Sequence, residues 1–174
     1  MTFRCTERVR KRFKLTAVAS ADASTNVLGD WYANLLNHGP ERHVVLVSER
    51  TLLPLIVPAR KADFPDKVGD QLAEVLRSFG VPTRQIEAEV AKMRAYRIGR
   101  TQNRQVLSVL NEFCLLATYH MPEESRILAS LRLSETPLGP FGGEAADQRT
   151  CDAFGIPRQR NWWWSDLRVG PHAS

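Results

Sequence analysis

Apolar residues in this chain first recur in short runs and at alternate positions, then at helical spacing, and the change comes near Asp66. Phe3 to Thr6 reads as a strand leading into a helix over Glu7 to Leu15, with Thr6 as N-cap and Val9 and Phe13 four residues apart on its buried side. Trp31 to Leu36 and His43 to Val47 read as two strands of a hairpin, turned at Asn37 to Glu41, where Gly39 and Pro40 supply the turn chemistry. Leu52 to Val57 is a third apolar run. The connection from Ser48 to Thr51 is too short for a crossover, so an antiparallel meander is predicted, with Pro54 assigning the last strand to an edge or a bulge.

From Asp66 onward Val68, Leu72, Val75, Leu76 and Phe79 form the stripe of a helix that Gly80 ends. Pro82 and Thr83 start a second helix, carrying Ile86, Val90 and Met93 and running to about Arg94, and Tyr96 to Gly99 is predicted as a short strand. Gln102 to His120 is the most strongly patterned element, opened by Thr101 as N-cap, with Val106, Val109, Leu110, Phe113, Cys114, Leu116 and Ala117 as its apolar residues, and it is expected to be the central helix of the core. Pro122 stops it, and Glu123 to Leu133 reads as a final amphipathic helix. Beyond Ser134, glycines and prolines interrupt every run. The pattern therefore predicts an α+β domain over residues 1–140, an antiparallel meander sheet packed against several helices, and a poorly ordered tail over 141–174 that carries Trp162, Trp163 and Trp164.

Composition narrows the class. With 174 residues, 43% hydrophobic and 25% charged, the chain has enough apolar surface for a core, which excludes global disorder. No window is apolar for the length of a membrane helix, since the longest candidate, Leu46 to Val57, is broken by Ser48, Glu49, Arg50 and Pro54. Phe13 to Ala23 is too short and polar for a secretory signal, so the expected location is the cytoplasm. Cys5, Cys114 and Cys151 are odd in number and widely spaced, which suits reduced thiols. His38, His43, His120 and His172 lack metal-ligand spacing, and no phosphate-loop, nucleophile-turn or zinc-helix motif is present, so neither metal nor cofactor is expected.

Charge is unevenly spread. The first fourteen residues hold Arg4, Arg8, Arg10, Lys11, Arg12 and Lys14 against the single acid Glu7, within a net charge of +5 for the chain. Arg8, Arg10, Lys11 and Arg12 on one helix suit a polyanion such as nucleic acid, the alternative being a merely solvated helix face. Two further polar sets stand out. In a strand, Asp30, Tyr32 and Asn34 face one way, towards a pocket or solvent, while Trp31, Ala33 and Leu35 face the core. On the helix that follows, at roughly 100° per residue, Arg104, Ser108, Asn111 and Thr118 share one stripe, Asn103 falls in the apolar sector, and Glu112 and His120 point elsewhere. Asn103 there either joins the helix start to a neighbouring segment or, with Arg104 and Asn111, offers donors for a phosphate or carboxylate ligand. Arg60, Lys61 and Asp63 follow the third strand in a loop.

Arg4-Cys5-Thr6, GDWYANLL at Gly29 to Leu36, SERTLLPLIVP at Ser48 to Pro58, TQNRQVLSVLNEF at Thr101 to Phe113 and Ser134-Glu135-Thr136-Pro137 occur in this order. In these segments the chain resembles a family of small bacterial proteins described as domain of unknown function 6933, over roughly residues 1–140. The resemblance implies one bacterial domain without implying catalytic residues, and leaves the extension from Phe141 to Ser174 outside it. Three functional readings follow. The first is a nucleic-acid-binding or regulatory module acting through the basic helix. The second is a small enzyme whose pocket gathers Asp30, Tyr32 and Asn34 with Asn103, Arg104 and Asn111. The third is a protein partner in a two-component bacterial module, contacting another chain through a sheet edge or the tail.

Overall fold

Both faces of the central hairpin are buried, so the sheet is the middle of three layers. The computed structural model describes residues 1–18, 24–61, 63–121, 125–139 and 142–158. Its strands are β1 (Thr2–Cys5), β2 (Trp31–His38), β3 (Glu41–Ser48), β4 (Pro54–Pro58) and β5 (Arg97–Arg100), in the order β4-β3-β2-β1-β5. The helices are α1 (Glu7–Phe13), α2 (Val68–Ser78), α3 (Thr83–Arg94), α4 (Arg104–His120), α5 (Arg126–Ser134) and α6 (Ala146–Phe154).

The expected meander is present as β2-β3-β4, with Trp31 opposite Ser48 and Val44 opposite Val57. The sheet as a whole is mixed, which corrects the antiparallel expectation: β1 runs parallel to both β2 and β5. The physical reason is connection length. From Thr6 to Asp30 the chain has room for a crossover through α1, and α2 with α3 make a second, longer one from β4 across to β5.

Alternation then sorts the core. Phe3, Cys5, Trp31, Ala33, Val44 and Leu46 pack against α1, α2 and α3, while Tyr32, Leu36, Val45, Val47 and Ile56 pack against α4. Gly69 lets α2 and α3 approach, because a Cβ there would lie 3.0 Å from Val90 Cγ1. Strand β4 is at the edge, as Pro54 requires, and α5 covers it: Ser130 Oγ accepts a hydrogen bond from Ile56 N at 3.0 Å, occupying a donor that would otherwise be open to another strand. At the β3–β4 turn Leu52 is fully buried with φ of 62°, a left-handed conformation that the Ser48 hydroxyl supports by accepting from Leu53 N at 2.9 Å.

Helix α6 forms where the pattern predicted no element. Ala146, Asp147, Thr150, Cys151 and Phe154 are its buried residues, and the left-handed Gly155 ends it. The tryptophans at 162–164 lie outside the described residues.

Candidate functional site

The polar positions singled out in the sequence line a seam where β1 and β2 meet the flank of α4. Arg4 is in register with Tyr32, so both side chains leave the sheet on the α4 side, as does that of Asn34. Asp30, only 2% exposed, accepts from Thr2 N and from Arg4 Nε, both at 2.9 Å, and pairs with Arg4 Nη2 at 2.8 Å. Tyr32 Oη accepts from Asn103 N at 3.0 Å and donates to Glu49 Oε1 at 3.3 Å, and burial pushes its phenol above the usual range. Asn34 Oδ1 accepts from the Thr6 hydroxyl and Leu35 N, while its Nδ2 donates to Asn111 Oδ1 at 3.1 Å.

The structure thus brings together Asp30, Tyr32, Asn34, Asn103 and Asn111, with Arg4, Thr6 and Glu49 as partners that the motif reading missed. Arg104 is exposed in the first turn of α4, on the stripe it shares with Asn111. Tyr32 is fully buried, so the polar strand set is no solvent face. Asn103 is the N-cap of α4 in place of Thr101, its side-chain oxygen accepting from Gln105 N and Val106 N, and its position outside the helix explains why the wheel misplaced it. Most hydrogen-bonding capacity in the seam is spent within it. Replacing Asn103 by alanine is expected to cost about 1 kcal/mol of stability, read as a lower urea midpoint at unchanged slope.

The second polar feature is basic. Val9 and Phe13 anchor α1, and Arg8, Lys11, Arg12 and Lys14 are left exposed, whereas Arg10 is partly buried. Lys11 reaches Glu7 at 2.7 Å, one turn away, a surface pair of little energetic weight that leaves the lysine available to a ligand. The outer end of α1 meets the β2–β3 turn and the end of β4 at a pocket of about 410 Å³, which Arg12, Arg42 and Arg60 all line. Arg60 belongs to the loop that follows the third strand; Arg42, the second residue of β3, was not singled out. The hairpin register is what joins them, since Ala59 N donates to Arg42 O at 2.8 Å. Two smaller grooves, of about 240 and 250 Å³, run along α2 and α3 and share Gly69, Asp70, Val90 and Arg94.

Among the described residues no cluster of three or more His, Cys, Asp or Glu could hold a metal ion, and no helix is long and apolar enough to cross a membrane. The three cysteines are free thiols, and burial pushes Cys5 and Cys114 up to about 12 and Cys151 to about 11, which keeps them protonated at neutral pH.

Fold and surface together define an α/β domain on a mixed five-stranded sheet, with an internally bonded polar seam on one side and a cationic pocket at one end. The model of one family, described as a domain of unknown function (DUF6933), matches residues 2–146. The chain belongs to that family, and the match takes in all five strands and helices α1 to α5. No curated protein and no solved structure matches the chain.

Proposed function

We propose that this domain is a nucleic-acid-binding or regulatory module of the cytoplasm, whose contact surface is the basic side of α1 continued by the arginines at its outer end. The observation that carries this reading is the grouping of Arg12 with Arg42 and Arg60 around one pocket, none of the three in an ion pair or side-chain hydrogen bond among the described residues. Unpaired guanidiniums on a rigid frame suit phosphate, because each contact releases condensed counterions and Arg presents a planar fork of donors. Arg8 and Lys11 extend the same charge along the helix, which gives a strand of phosphates more than one point of attachment. The free thiols support the cytoplasmic part of this reading, because a reducing compartment keeps cysteines unpaired.

The test compares the native chain with an Arg8→Glu/Lys11→Glu/Arg12→Glu variant, leaving the partly buried Arg10 in place. Fluorescence anisotropy with duplex DNA and with single-stranded RNA is expected to show binding by the native protein and at least a hundredfold weaker binding by the variant at low salt. Equal binding by the two proteins, both folded by thermal unfolding, would remove α1 from the contact surface.

A further inference from the structure

The pocket at the end of α1 has a charge and size that single out one form of phosphate. Arg12, Arg42 and Arg60 carry three positive charges to it, and among the described residues Glu41 is the acid in its lining, its carboxylate 3.6 Å from His43 Nε2. The excess of two positive charges matches a phosphomonoester, which carries about −1.5 to −2 at neutral pH, better than the single charge of each phosphodiester along a strand. Three exposed guanidiniums from residues far apart in sequence repel one another at this spot, and a dianion between them would turn that repulsion into attraction. A volume of about 410 Å³ lies within the roughly 300 to 1,000 Å³ of small-molecule sites and leaves space beyond a phosphate group. That space is bounded by the apolar rings of Pro40 and Pro58, and an Arg plane can stack on a base.

We infer that the pocket binds a phosphomonoester carried on a nucleoside, either the terminal phosphate of a nucleic-acid strand or a free nucleoside monophosphate. In its strand-end form this rests on the nucleic-acid reading above; in its free-nucleotide form it stands apart from it. The hairpin and β4 supply Arg42 and Arg60, while α1 supplies Arg12 at the junction with the polyanion surface, so a strand running along α1 would present its end to the pocket.

The probes are adenosine 5′-monophosphate, adenosine and inorganic phosphate, titrated against the native chain and an Arg42→Ala/Arg60→Ala variant by calorimetry, together with one oligonucleotide prepared with a 5′-phosphate and with a 5′-hydroxyl. Both substitutions are at exposed positions, and thermal unfolding checks that the variant folds. The native protein is expected to bind the monophosphate at least tenfold tighter than either adenosine or inorganic phosphate, and the variant to lose that preference. The phosphorylated oligonucleotide is expected to bind several-fold tighter than its hydroxyl twin, an excess that disappears in the variant. Monophosphate binding without oligonucleotide binding would keep the pocket as a nucleotide site and remove the nucleic-acid reading. Oligonucleotide binding indifferent to the end group, with the monophosphate no tighter than adenosine, would overturn this inference and leave that reading intact. Inorganic phosphate binding as tightly as the monophosphate would overturn the nucleoside part.

Discussion

Replacing Asp30 by alanine is expected to destabilise the domain by about 3 to 5 kcal/mol, the cost of removing one partner from a buried charge pair. Arg4 would then hold an uncompensated guanidinium with 12% side-chain exposure, and Thr2 N would lose its acceptor. Since domains of this size are stable by roughly 5 to 15 kcal/mol, the variant should sit close to unfolding at physiological temperature. Urea denaturation measures it, and the double variant Arg4→Met/Asp30→Ala should recover much of the loss, because both charges are then gone. A loss under about 1 kcal/mol in the single variant would show that water readily replaces the carboxylate, contrary to its burial.

The second large effect is at Glu89 on α3, 2% exposed. Its carboxylate accepts from Asn26 Nδ2 at 2.7 Å, from Val27 N at 3.0 Å and from Leu28 N at 3.1 Å, fixing the chain just before β2. Alanine at this position leaves three donors without their acceptor, and the expected loss is about 3 kcal/mol, reduced to the extent that the loop opens to water. Hydrogen exchange separates this from a general loss of stability. The amides of Val27 and Leu28 should lose more protection than those of β3, and equal protection at these two amides in native and variant protein would contradict the role given to Glu89.

The two effects also mark what the sequence could disclose. The hairpin, the edge strand at Pro54, and helices α2 and α3 were legible because alternation and helical spacing are local and strong there. The parallel pairing of β1 was not, since a four-residue strand carries no mark of its partner and the residues up to Asp30 show no apolar period. Helix α6 escaped because its buried side is built largely from Ala, Thr and Cys between glycines, which gives almost no hydrophobic signal.

At the candidate site, residue types were readable and their employment was not. GDWYAN and TQNRQVLSVLNEF do converge, through Tyr32 and the amide of Asn103 and through Asn34 and Asn111, yet those groups bond to one another. Glu89 looked like any charged helix residue, because nothing local reveals that three donors from residues 26–28 meet it. Arg42 and Arg60 are eighteen positions apart and become neighbours of Arg12 only through the β3–β4 register and the crossover that places α1.

The central claim is that the exposed arginines and lysine at and beyond α1 meet phosphates, and the salt dependence of binding to duplex DNA tests it most directly. With at least three of these side chains in contact, log K should fall linearly with log salt with a slope of about −2.7 or steeper, from 0.9 per phosphate contact. No binding at about 50 mM salt, or binding with a slope near zero, would contradict it.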